Sequence, residues 1–188
     1  MTPDHDARAR LLADLLGRPA HPPAVADPLR PVLASLLAGR CLQLGVLSAT
    51  LGLPAPAFRA LCEGYFPGDP IELQNAPEQN LFELEDLREL LLAHRAGRRE
   101  SEVWLADIVA CACGGRDHLW QDLGLAHRGE LSALMSLAFP SLAALNSGDM
   151  KWKKFIYRQY CSRDGLDLCP APSCGACAER AQCFAPET

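Results

Sequence analysis

The sequence predicts an all-α protein, a helical body that ends in a C-terminal cysteine-rich metal-cluster segment. Apolar residues recur at three- and four-residue spacing along most of the chain, and no run alternates at period two. Four of the nine cysteines fall between residues 169 and 183, a density that helix packing does not call for.

The helices follow in chain order. Asp27-Pro28 reads as a cap followed by proline at the first helical position, and Leu29, Leu33, Leu36 and Leu37 form one apolar face before Gly39. The stretch 47–61 has the outline of a helix-turn-helix around Gly52. Its second half offers Arg59 as the only cation, too few for phosphates and base edges, so it reads as two packed amphipathic helices. Residues 66–80, with three prolines, read as a long loop or hinge. Asn80 and Glu83 resemble a capping box, after which Leu84, Leu87 and Leu91 repeat at helical spacing until Gly97. Ser101 reads as the cap of a helix with Trp104, Leu105, Ile108 and Ala112 on one face. Leu131, Leu134, Met135 and Ala138 continue the pattern up to Phe139-Pro140. In "KWKKFIYRQYC", Trp152, Phe155, Ile156 and Tyr160 make an apolar stripe beside a face with Lys151, Lys154 and Arg158.

Composition narrows the function. A chain of 188 residues with 49% hydrophobic residues buries a core without covalent staples. No segment approaches the ~20 apolar residues of a membrane span, and the N-terminus lacks the pattern of a signal or transit peptide. The expected location is therefore the cytoplasm, with no membrane partner. An odd number of cysteines in a reducing compartment points to metal or redox chemistry rather than disulfides. Residues 1–150 carry 12 basic and 19 acidic side chains, net −7, whereas 151–188 carry six and four, net +2. An acidic body is a poor partner for nucleic acid. No phosphate-cradling, zinc-protease or dinucleotide fingerprint occurs, so the expectation is a non-enzyme.

The cysteine spacing is C-x4-C-x2-C-x5-C, formed by Cys169, Cys174, Cys177 and Cys183. The Cys-x-x-Cys pair brings two sulfurs to one side of a turn, and Ser173 suits the cap of a short helix starting near Cys174. Structural zinc usually takes two such pairs separated by a longer spacer. One pair in a compact cysteine-rich tail favours an iron–sulfur cluster, although a zinc-stabilised interaction protein stays open. Cys41 and Cys62 read as buried small apolar residues; Cys111 and Cys113 fit either a buried helix end or an approach to the cluster.

Iron–sulfur DNA glycosylases share the final C-x2-C-x5-C, with a wider first gap. They also hold DNA with a Gly-x-Gly hairpin, which occurs nowhere in this chain. A glycosylase-like protein with a structural [4Fe-4S] cluster is therefore a weaker alternative. A closer resemblance lies in "HLWQDLGL" (118–125), "RGELSALM" (128–135), "FPSLAALN" (139–146) and "DMKWKKFIYRQYC" (149–161), followed by the cysteine tail. This region resembles NifQ, the family of accessory proteins in nitrogenase cofactor assembly, and divides the chain into a helical N-terminal region of unassigned role (1–100) and a NifQ-like helical region (101–188).

The resemblance implies an iron–sulfur–molybdenum cluster carrier that takes up molybdenum, from molybdate or another source, and donates it for the iron–molybdenum cofactor of nitrogenase. It implies Cys169, Cys174, Cys177 and Cys183 as the metal- and cofactor-binding residues, and a [Mo-3Fe-4S] type cluster or its [3Fe-4S]/[4Fe-4S] precursor. It further implies the NifEN scaffold and the iron protein NifH as recipients. Molybdenum favours six ligands, so one thiolate and three sulfides leave positions for labile donors. His118, Asp122 and Cys161 are accessory candidates, with helix capping or hydrogen-bonded packing as the other reading of His118 and Asp122. Lys153, Lys154 and Arg158 are candidates for offsetting the cluster's negative charge or attracting molybdate, beside the reading as a solvated helix face.

Overall fold

The computed structural model describes residues 3–71, 73, 83–163 and 180–185, and among them every regular element is helical. The order is α1 (Pro3–Gly17), α2 (Pro22–Val25), α3 (Arg30–Cys41), α4 (Ala55–Tyr65), α5 (Leu84–Ala93), α6 (Ser101–Cys113), α7 (Leu119–Asp122), α8 (Arg128–Ala138), α9 (Pro140–Leu145), α10 (Trp152–Arg163) and α11 (Arg180–Phe184). The principal packed pairs are α1 with α3, α2 with α4, α5 with α6 and α10, α7 with α6 and α8, and α8 with α9.

The leucine spacings bury as the sequence predicts. Leu33, Leu36, Leu37, Leu87, Leu91, Leu131 and Leu134 join one core cluster with Phe139 and Ile156, each such side chain contributing roughly 1.5–3 kcal/mol on leaving water. Helix α6 departs from the single-face expectation. Leu105, Ala106, Ile108, Val109, Ala110 and Ala112 are all buried, so this helix is covered nearly all round.

Other starts and stops are corrected. Helix α3 begins at Arg30 rather than at Pro28, yet Asp27 still accepts the Leu29 N–H at 2.9 Å. Asn80 lies outside the described residues; α5 begins at Leu84 after Glu83 and ends at Ala93, before Gly97. Ser101 is not a cap. It is the first residue of α6, and its hydroxyl donates to Asp27 Oδ2 at 2.6 Å, beside the Tyr65 hydroxyl at 2.7 Å. Asp27 is 3% exposed, so these bonds and the Arg99 guanidinium at 3.5 Å supply the partners that a buried carboxylate requires. The stretch 47–61 contains only the start of α4 preceded by turns, so no helix-turn-helix forms. Residues 66–71 are non-helical, as expected for the start of the proline-containing loop.

The turn after α3 fixes α7. A Cβ at Gly39 would lie 2.1 Å from the Gly124 carbonyl oxygen, so the two chain segments cross in backbone contact. Val46 N–H donates to the Asp122 carbonyl at 2.9 Å, and Gly45 makes the bend at φ +75°. Arg8, buried on α1, donates to Ser35 Oγ, the Ser35 carbonyl and the Gly124 carbonyl at 2.8–3.0 Å. The short α7 is thereby locked against α1 and α3.

Candidate metal centre

Helix α10 leads to the cysteine tail, and its start is held from three sides. Asn146 uses both ends of its carboxamide on Met150: Nδ2 donates to the carbonyl and Oδ1 accepts the N–H, each at 2.9 Å. Arg128 grips the two Asp149 carboxylate oxygens, each at 2.8 Å. Lys151 N–H donates to the Cys183 carbonyl at 2.9 Å. Thus α11, which follows α10 in the chain, returns to the beginning of α10, and Cys183 is buried there at 7% exposure as a free thiol.

Trp152 Nε1 donates to Ser132 Oγ of α8 at 3.2 Å, and Phe155 and Ile156 enter the core. Lys153 points into the α6–α7 turn. Its ammonium donates to the Asp117 carbonyl at 2.8 Å, to the Gly115 carbonyl at 3.1 Å, and to the Asp122 carboxylate in a close ion pair. Asp122 is 1% exposed. Gly115 makes room for it, since a Cβ there would lie 2.2 Å from Asp122 Cγ.

These contacts locate the accessory candidates. Asp122 is engaged by Lys153 and by the Asp117 N–H at 3.4 Å, the hydrogen-bonded packing role that sequence leaves open beside ligation. Lys153 already has an internal carboxylate for its charge. His118 occupies the N-cap position of α7, where its N–H donates to Gln121 Oε1 at 3.1 Å. Cys161 is buried on α10. Lys154 is exposed and Arg158 half-buried.

The remaining described thiols differ in burial: Cys113 is buried, and Cys41, Cys62 and Cys111 are half-buried. Burial pushes the Cys113 thiol up to about 12, with the Asp122 carboxylate adding to the effect and Lys153 opposing it. Cys111 Sγ points at the Gly52 carbonyl at 3.8 Å and occupies the space that a Cβ at Gly52 would need. Both end the buried helix α6. Cys41 and Cys62 are half-buried rather than fully buried as the sequence reading expects.

Cys169, Cys174, Cys177 and Ser173 lie outside the described residues. Among the described residues, no three His, Cys, Asp or Glu side chains form a metal-holding group. The donor set of the tail, four thiols including the buried and unbridged Cys183, is chemically suited to soft metals and iron–sulfur clusters. Sequence reasoning missed the Lys153–Asp122 pair. The available signal was a carboxylate inside "LWQDLGL", where an apolar setting demands a cation or donors. No described helix is long and apolar enough to cross a membrane.

Comparison with known proteins adds an independent finding. The family model described as NifQ matches residues 32–185. The chain is 50% identical over 110 residues to "Protein NifQ" of Azotobacter vinelandii, covering 58% of this chain and 56% of that one. It is 41% identical over 157 residues to "Protein NifQ" of Rhodobacter capsulatus, covering 83% and 87%. It is 46% identical over 102 residues to "Protein NifQ" of Klebsiella pneumoniae, covering 53% and 61%. The chain thus matches little more than half the length of the Azotobacter relative. No solved structure matches it.

Proposed function

The chain belongs to the NifQ family, and from that premise we propose that it is a cytoplasmic carrier that accepts molybdenum at a cysteine-held iron–sulfur cluster and passes it on for the nitrogenase iron–molybdenum cofactor. The observation that carries this reading is the quartet Cys169, Cys174, Cys177 and Cys183, whose C-x4-C-x2-C-x5-C spacing lies inside the family-matched region. Its four thiolates hold the cluster, of the [Mo-3Fe-4S] type or a [3Fe-4S]/[4Fe-4S] precursor. Such a cluster, when bound, supplies soft sulfide ligands for molybdenum in a reduced state.

The chain's own residues prepare that site. The Lys151–Cys183 backbone bond fixes one end of the quartet to the start of α10. The Asn146 clasp, the Arg128–Asp149 fork and the Lys153–Asp122 pair hold α10 against the body. A rigid platform suits a carrier, since a ligand set held in place loses less entropy when it closes. The chain performs no bond-making catalysis in this reading. Its recipients are the NifEN scaffold and the iron protein NifH.

Anaerobic purification followed by metal and sulfide analysis tests the proposal. Iron with sulfide, and molybdenum after incubation with molybdate and a reductant, is the expected composition. Zinc alone would point to a zinc-stabilised interaction protein. Iron that never exchanges for molybdenum, together with DNA binding, would point to the glycosylase-like alternative.

A further inference from the structure

The geometry points to an oxyanion site in the recess between the end of α9, α10 and α11, with room for a tetrahedral dianion of the molybdate class. The recess has a volume of about 270 Å³, larger than one such anion and leaving space for bridging waters. Its polar wall comes from α10, where Arg158, Gln159 and Ser162 line the same cavity. Their spacing of one and four residues places a guanidinium fork, a carboxamide and a hydroxyl on neighbouring positions of one helix. Its apolar wall includes Met150, Phe155 and Phe184. A second cation stands at this wall, since the Arg180 guanidinium lies 5.1 Å from the centroid of the Phe184 ring.

The charge pattern favours an anion. The chain carries 23 acidic residues and a net charge of −5, yet among the described residues no carboxylate lines the recess. The neighbouring Asp149 is neutralised by the Arg128 fork. Asn146 also lines the recess but commits both polar atoms to Met150, so it shapes the wall rather than binding. A guanidinium is the side chain best matched to paired oxyanion oxygens. Phe184 follows Cys183 directly, so an anion held here lies beside the proposed cluster ligand.

The oxyanion site itself stands on the recess; the choice of molybdate among tetrahedral dianions rests on the proposed carrier role. Equilibrium dialysis of the full, metal-free chain against molybdate, tungstate and sulfate under anaerobic conditions tests both. Saturable molybdate binding, displaced by tungstate and more weakly by sulfate, is expected. Arg158→Gln should weaken it about ten- to a hundredfold, the loss of a charge-assisted hydrogen bond. The exposed Ser162→Ala, a change that leaves helix packing alone, should weaken it by a few fold. Sulfate binding as tightly as molybdate would overturn the molybdate assignment. Absence of saturable binding, or wild-type affinity in both variants with unchanged helicity, would overturn the site. Iron and sulfide content reads the cysteine quartet separately, so loss of iron in a cysteine variant that still binds the anion leaves this inference standing.

Discussion

Tyr160 donates its hydroxyl to Asp86 Oδ2 at 3.2 Å, linking the helix that precedes the cysteine tail to a helix 74 residues earlier in the chain. One turn further along both helices Arg163 faces Glu89 at 3.8 Å. Two contacts advancing together define α5 and α10 as parallel neighbours, so α10 rests on a second element besides the α6–α7 turn.

Tyr160→Phe should cost about 1 kcal/mol, the net contribution of one hydrogen bond, and lower the melting temperature by roughly 2–4 °C in a chain of this size. Arg163→Ala removes a pair whose members are 41% and 58% exposed, and solvent screening leaves it worth less. Thermal melts of the two variants should rank in that order. A larger loss for Arg163→Ala would contradict the assignment of Tyr160 as the principal tie.

The Lys153–Asp122 pair should behave as a buried ion pair. Lys153→Met leaves the Asp122 carboxylate without its cation and should cost about 3–5 kcal/mol. Lys153→Met combined with Asp122→Leu should restore part of that loss, because neither charge is then stranded. Denaturant titrations of both singles and the double give the coupling energy, and purely additive losses would refute the coupling. Gly115→Ala should destabilise by about 1–3 kcal/mol through the steric conflict with Asp122.

Alkaline pH should weaken the fold. The Cys113 thiol, ordinarily near 9.0, is held up to about 12 chiefly by burial. Between those values the folded chain keeps a proton that the unfolded chain releases. Stability is therefore fully present below about pH 9 and is lost as pH rises toward 12. One fully titrating thiol contributes a slope of about 1.4 kcal/mol per pH unit. Cys113→Ala should flatten the decline most clearly between pH 9 and 10, because Tyr157, also raised to about 12, starts from 10.0. Cys62, raised to about 11 by burial, leaves a residual slope. Identical pH profiles for wild type and Cys113→Ala would contradict the buried-thiol assignment.

Local signals were legible and distant pairings were not. The leucine faces of α3, α5 and α8 follow from spacing alone, because a helix must bury a continuous stripe. Asp27 marks the turn before α3 rather than its cap: its carboxylate takes the Leu29 N–H two residues on, while the helix itself begins at Arg30. Ser101 reads wrongly as a cap, because its hydroxyl bonds Asp27 from the far side of the core. The all-round burial of α6 was hidden by its small residues: Ala106, Ala110 and Ala112 give little amphipathic contrast. Lys153 looked like part of a basic surface because nothing in linear spacing ties it to Asp122, 31 residues away. For the candidate site, the cysteine quartet was readable as spacing, whereas the return of Cys183 to the start of α10 required the fold.

If the quartet is the complete protein ligand set for iron, Cys161→Ala should retain wild-type iron and sulfide stoichiometry after anaerobic reconstitution, whereas Cys183→Ala should lose it. Elemental and sulfide assays of the two purified variants decide this. Iron loss in Cys161→Ala would make that buried thiol a ligand.

X-ray absorption at the molybdenum edge of anaerobically loaded protein tests the central claim most directly. The predicted result is molybdenum with sulfur neighbours and iron in the next shell, both signals vanishing when the four tail cysteines are replaced by alanine. Molybdenum surrounded by oxygen alone, with a spectrum indifferent to those replacements, would contradict the account.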